Sequence, residues 1–295
     1  MPVAGQSVVS KGLRVSVRVA LRRARRLPLV VLVLLTGGIA ATVALLLPGE
    51  RRRRMVIQWI LSAMARGLLT GLGLDCIWLG PAPRGPALIA GNHLSWIDIV
   101  AAIATWPCTF VAKREVRDWP VLGRLAAALG LVFVDRARKR DLLTAIPAIE
   151  HALGRGSLIL LFPEGTTSDG QGILRFRTAL FESAVRAGVP VFPVALSGSV
   201  DCESADHDVG DRDNVLCWYG DETLVANVWR LAATNDARFL LRVGAPVDAG
   251  TNRKQLAARV RHEIERRFVP VHARASTISR DVSTRVLRQL SRLSS

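Results

Sequence analysis

Residues 27–49 carry no charged side chain. In apolar surroundings every backbone N–H and C=O needs an internal partner, and a helix supplies one for each. At about 1.5 Å per residue the run reaches roughly 34 Å, enough to span a bilayer core. Lys11, Arg14, Arg18, Arg22, Arg23, Arg25 and Arg26 precede it with no acid among them, and Arg51 to Arg54 close it. The run is long for a secretory signal, and no small-residue cleavage site stands out. A second apolar stretch, 55–74, is interrupted by Arg66. Pro28 and the pair Gly37-Gly38 allow a bend. Basic residues flank both ends, so the positive-inside rule gives no orientation. Two arrangements stay open: one true span, or a re-entrant or interfacial pair of helices with both ends cytosolic. A buried core helix is the plain alternative.

Half of the 295 residues are hydrophobic, and the formal charge is +16. Such a balance calls for an anionic partner, nucleic acid or anionic lipid. The charge gathers beside the apolar run and in the tail, and no RNA- or DNA-binding motif accompanies it. Membrane lipid is therefore the expected partner and nucleic acid is not. The four cysteines (Cys76, Cys108, Cys202, Cys217) show neither C-x-x-C spacing nor a disulfide framework and read as reduced thiols. His151, His207, His262 and His272 are scattered, so no metal is expected.

From residue 87 short apolar runs alternate with helical ones. Strands are expected at 87–90, 109–112, 131–134, 157–161, 191–196, 215–219 and 239–243, and helices at 97–104, 121–129, 141–153, 178–187 and 222–232. That alternation predicts an α/β fold: a mostly parallel central sheet flanked by helices, with N-terminal membrane helices. Residues 201–213 hold six acids and read as a solvated loop, without the spacing of a calcium loop. In the tail, Leu256, Val260, Ile264 and Phe268 recur every four residues, and Ile278, Val282, Val286, Leu290 and Leu293 do nearly the same. The first set suits packing on the core, and the second suits a membrane surface or disorder. The expected division is a basic anchor at 1–80, a catalytic domain at 81–250 and a basic helical tail at 251–295.

Four stretches carry chemistry. The first is Asn92-His93-Leu94-Ser95-Trp96-Ile97-Asp98. His93 falls at a strand-to-helix corner, where side chains open into a crevice at the carboxyl end of a strand. A turn that folds back would bring the Asp98 carboxylate to the imidazole, and a histidine so held is a general base for a hydroxyl. Taken alone, the pattern is more often a helix start beside a surface histidine. Lys113 and Arg136 each follow an expected strand and point toward the same sheet edge, where two cations can hold a phosphate. Phe162-Pro163-Glu164-Gly165-Thr166-Thr167-Ser168 ends a buried strand in amides and hydroxyls suited to an anionic oxygen. Residues 189–196 form an apolar strand with two prolines, fit for core or for the wall of a lipid pocket.

Together and in this order, these stretches closely resemble the glycerolipid acyltransferase family that includes lysophosphatidic acid acyltransferase. The resemblance rests on Asn92 to Asp98, Gly130 to Arg136, Phe162 to Ser168 and Val189 to Val194, and covers roughly residues 80–245. It implies His93 as base and Asp98 as its orienting partner. Arg136, Glu164, Gly165, Thr166 and Thr167 would then bind the acceptor head group, with Lys113 assisting. After the Glu-Gly-Thr block, Arg175-Phe176-Arg177-Thr178 replaces the Lys or Gly frequent in the family. With Trp218-Tyr219-Gly220-Asp221, this looks more like the bacterial branch containing lyso-ornithine lipid acyltransferases.

The implied reaction moves an acyl chain from a thioester, acyl-CoA or acyl-ACP, to the free hydroxyl of a lysophospholipid. The expected acceptor is 1-acyl-sn-glycerol-3-phosphate, giving phosphatidic acid, with lyso-ornithine lipid as the alternative. No cofactor beyond the thioester co-substrate is implied, and Ser197 lacks the G-x-S-x-G setting of a nucleophile. The expected location is a bacterial inner membrane with the catalytic domain facing the cytoplasm. The rival readings are a basic nucleic-acid-binding protein and a lipid-binding scaffold without catalysis.

Overall fold

The computed structural model describes residues 5–113, 118, 124, 131–134, 139–200, 215–234 and 237–271. Seven strands form one sheet: β1 (Leu74–Leu79), β2 (Ala87–Gly91), β3 (Thr109–Lys113), β4 (Val132–Val134), β5 (Leu158–Leu161), β6 (Val191–Ser199) and β7 (Ala237–Val243). Their order is β1-β7-β6-β2-β5-β3-β4. Every pair is parallel except β6 with β7.

Period-two alternation divides the inner strands between two apolar layers. Ala87 and Ile89 of β2, Leu158 and Leu160 of β5, and Phe192 and Val194 of β6 face one layer. Leu88 and Ala90, Ile159 and Leu161, and Val191 and Ala195 face the other. Strands apolar on both sides, as these are, need helices on both sides. The first layer is covered by α2 (Glu50–Leu72), α3 (Ile97–Thr105) and α6 (Leu224–Ala233). The second is covered by α4 (Lys139–Gly154), a 3-10 turn (Thr178–Phe181), α5 (Glu182–Ala187) and α7 (Arg253–Glu265). Leu256, Val260 and Ile264 of α7 are fully buried, with Phe268 packed beside them, so the first half of the tail is a core helix. Asn252 caps it, Oδ1 accepting from the amides of Lys254 and Gln255. The expected second tail helix lies outside the described residues, as do 201–213 and, apart from residue 124, 121–129.

Helix α1 (Gly5–Ala44) and α2 form a hairpin closed by the turn at 45–49. Both are long and apolar enough to cross a bilayer, and only 17% and 28% of their most apolar windows are buried, too little for core helices. The seam between them is built on small residues: Gly37 of α1 takes Met64, Gly67 of α2 takes Val33, and Gly71 takes Leu29 and Val30. The hairpin does not project from the domain. Along α2, Gln58, Ser62 and Arg66 donate to the carbonyls of Cys108, Ile103 and Ala104, at the end of α3 and just beyond. On α1, Arg22 donates to Ala233 O at 3.2 Å and Arg26 to Thr234 O at 2.5 Å, satisfying carbonyls at the end of α6.

Three details differ from expectation. Residues 215–219 form a turn and an irregular segment rather than a strand, because Leu216 and Cys217 are both buried and Cys217 O is taken by the Asn227 side chain. The helix expected at 178–187 begins as the 3-10 turn, where the Ser183 hydroxyl bonds Leu180 O. β1, within the stretch expected as the 1–80 anchor, pairs with β7 in the sheet.

Candidate active site

β2 stops at Gly91, and Asn92 stands in for its next ladder residue. The Asn92 amide donates to Leu196 O at 3.0 Å and its oxygen accepts from Leu196 N at 2.7 Å, so the chain end is fastened to β6. A Cβ at Gly91 would meet Val194 O at 3.0 Å, so a larger residue here would push the strands a few tenths of an ångström apart.

His93 follows at once. Its Nδ1 lies 2.6 Å from Asp98 Oδ2, in the first turn of α3. The amides of Leu94 and Ser95 donate to the same oxygen at 2.6 and 3.0 Å. An oxygen already accepting two N–H groups takes a third donor, so Nδ1 carries the hydrogen and Nε2 keeps its lone pair. Phe162 stacks on the imidazole, centroids 4.0 Å apart and planes 6° off parallel, which fixes the ring. His93 and Asp98 are buried, 5% and 0% exposed, so water competes little for their hydrogen bond. Asp98 Oδ1 has no partner among the described residues.

The Phe162 to Ser168 stretch comes to the same place from β5. Its first task is to hold the histidine's main chain. Glu164 Oε2 accepts from His93 N at 3.1 Å and Oε1 from Leu174 N at 3.0 Å, while Ser168 N donates to His93 O at 2.9 Å. Burial pushes the Glu164 carboxyl up to about 7, helped by the Asp98 charge and opposed by the two amides. Gly165 turns the chain at φ +75°, with the Arg177 guanidinium packed where a Cβ would stand. Thr166 is exposed and Thr167 half-buried. From α6, Asn227 Oδ1 accepts from Trp96 Nε1 at 2.9 Å, and Trp218 N donates to Leu94 O at 2.9 Å, closing the other side.

The structure thus brings His93, Asp98, Glu164 and Gly165 together, with Thr166 and Thr167 on the adjoining turn. Lys113 ends β3, parallel through β5 to β2, and so stands at the same sheet edge; its side chain lies outside the described ones. Arg136 lies outside the described residues, two positions beyond the end of β4. Sequence reasoning missed the roles of Asn92 and Phe162. A polar Asn between a buried strand and a histidine was the only available signal for the first.

A family model described as Acyltransferase matches residues 79–197. A 1-acyl-sn-glycerol-3-phosphate acyltransferase of Neisseria meningitidis is 37% identical over 186 residues, covering 62% of this chain and 68% of that protein. A lyso-ornithine lipid O-acyltransferase of Pseudomonas aeruginosa is 35% identical over 254 residues, covering 84% and 92%. The crystal structure of the 1-acyl-sn-glycerophosphate acyltransferase PlsC from Thermotoga maritima superposes with a TM-score of 0.63 at 22% identity, over 86% of this chain and 96% of that one, and shares the fold. A histidine held by a carboxylate stands at the end of a parallel strand, and by these likenesses the chain belongs to the O-acyltransferase family of the lysophosphatidate and lyso-ornithine lipid acyltransferases.

Proposed function

We propose that the enzyme transfers an acyl chain from a thioester, acyl-CoA or acyl-ACP, to the hydroxyl of 1-acyl-sn-glycerol-3-phosphate, giving phosphatidic acid. The 2.6 Å contact between His93 Nδ1 and Asp98 Oδ2 carries the reading. It leaves Nε2 to take the acceptor's hydroxyl proton as the oxygen attacks the thioester carbonyl carbon. As the tetrahedral intermediate collapses, the C–S bond breaks and the imidazolium returns its proton to the departing sulfur. No acyl-enzyme is needed, because the acceptor is itself the nucleophile. A general base of this kind contributes roughly 10²–10⁴-fold. Lys113, Arg136, Gly165, Thr166 and Thr167 cradle the acceptor's phosphate. Glu164 contributes from behind by fixing the main chain of His93.

Lyso-ornithine lipid is the second acceptor to consider. Most of the chain aligns with the Pseudomonas enzyme of that name, 84% against 62% for the Neisseria enzyme, which favours it. Purified protein assayed with both acceptors and both donors separates the two readings. Turnover of lysophosphatidate alone supports the first, and turnover of lyso-ornithine lipid alone replaces it. Failure of His93→Ala to abolish transfer would remove the base assignment altogether.

The docked hairpin supports a one-sided anchor, set into the inner membrane with the catalytic domain on the cytoplasmic face. Both the middle of α1, at Arg22 and Arg26, and the end of α2 meet the α/β domain. This is the re-entrant or interfacial arrangement rather than a single span. Labelling of single cysteines placed at residues 20 and 48 in intact membrane vesicles tests it, and opposite accessibility would favour a span.

A further inference from the structure

A cavity of about 480 Å³ lies at the end of the strands opposite His93. Its walls include Arg54 and Gln58 of α2, Arg84 before β2, Thr105 and Trp106 at the end of α3, and Ser157 before β5. These positions precede the strands that His93 and Glu164 follow. The run from 85 to 93, at roughly 3.3 Å per residue, separates the two sites by about 25 Å.

The lining has two guanidinium groups, two indoles and an amide, and no carboxylate. Two N–H groups of these residues, Trp106 Nε1 and Arg54 Nε, are buried without an acceptor among the described residues. Trp106 as a whole is only 4% exposed. Unmet buried donors cost stability, and a ligand bearing acceptors recovers it. Glu50, outside the lining, accepts from Arg54 Nη2 at 2.6 Å and from Arg155 Nη2 at 3.3 Å, which leaves Arg54 Nε untouched. Arg84 makes no ion pair among the described residues. The chemistry selects an oxyanion, which guanidinium groups hold in a forked geometry.

The surroundings indicate its source. Arg54 and Gln58 share one face of α2, and Met55 and Trp59 share the next. Met55 is 58% exposed and Trp59 69%, on a helix apolar enough to lie in a bilayer. An exposed tryptophan beside arginines suits the level of the lipid headgroups.

We propose that this cavity binds a phosphate-bearing anion, and that on the membrane an anionic phospholipid headgroup supplies it. The inference is independent of which lysolipid is acylated. To test it, the full chain in maltoside micelles is titrated with dihexanoyl phosphatidylglycerol, dihexanoyl phosphatidylcholine and inorganic phosphate, following the thermal midpoint. Wild type is compared with Arg84→Ala, Trp106→Phe and, as a control on an exposed helix, Arg186→Ala. The expected result is saturable stabilisation by phosphatidylglycerol, weakened tenfold or more in Arg84→Ala and Trp106→Phe and unchanged in Arg186→Ala, with phosphatidylcholine ineffective. Inorganic phosphate acting at the same concentration as phosphatidylglycerol, with the same loss in the variants, upholds the anion site and overturns the lipid source. Equal responses in all four proteins, or none that saturates, overturns the site. Should Trp106→Phe fold poorly, Arg84→Ala decides alone, because Arg84 is exposed.

Discussion

A single carboxylate oxygen, Asp98 Oδ2, gathers three N–H groups and thereby decides which imidazole nitrogen is basic. Asp98→Asn keeps the shape but offers either a donor or a weaker acceptor, so the tautomer is no longer imposed. Steady-state kinetics on this variant should show kcat lower by about 10²–10⁴ with KM for the acceptor little changed. Glu164 gives a second outcome at this scale, in stability rather than turnover. Its carboxyl titrates near 7 in the folded protein against an ordinary 4.5. Between those values the folded chain holds a proton that the unfolded chain has released, so stability falls as pH rises through the window and levels off above it. Melting curves from pH 4.5 to 7.5 should show this decline, and Glu164→Gln should flatten it. Gly165 is the third. A side chain at φ +75° costs about 1–2 kcal/mol, and here it would also displace the Arg177 guanidinium. Gly165→Ala should lower the thermal midpoint by several degrees and move the turn that carries Thr166 and Thr167.

At the scale of elements, the sheet was readable because its inner strands are apolar on both faces and stand between helical patterns. The pairing of His93 with Asp98 was readable too, since five residues across a strand-to-helix corner return the carboxylate to the ring. What escaped has physical reasons. β1 merged with the apolar end of α2, and the break between them is one left-handed glycine, Gly73. Residues 215–219 have the composition of a strand, but they cover the site loop and satisfy their backbone through Asn227 and Leu94. The hold of Glu164 on the amides of His93 and Leu174 escaped because side-chain patterns do not reveal main-chain partners. Asn92 binds 104 residues downstream, beyond the reach of any local pattern. The hairpin seam offers a test of its own. A Cβ at Gly67 would come within 3.1 Å of the Val33 side chain. Gly67→Leu should therefore part α1 from α2 and raise protease sensitivity at the 45–49 turn.

For the whole molecule, the charge and the apolar surface divide the labour of reaching lipid. Leu32, Leu35 and Ile39 of α1 are 56%, 60% and 65% exposed, and no described element covers them. Replacing all three by Asp should cut co-sedimentation with anionic vesicles at least tenfold while leaving the melting of the α/β domain unchanged, since none contributes to its core. A different result, loss of folding in detergent, would mean that this face packs on protein.

Ser62 ties α2 to Ile103, near the end of the same nine-residue helix whose first turn carries Asp98. The lipid-facing hairpin is in that sense a buttress of the reaction centre, not a detachable tether. Trimming the chain at Gly73 to obtain a water-soluble enzyme would strip the cover from α3 and leave the acid–imidazole couple resting on a bared, wobbling support. A foreign membrane segment grafted in its place would restore attachment to lipid without restoring turnover.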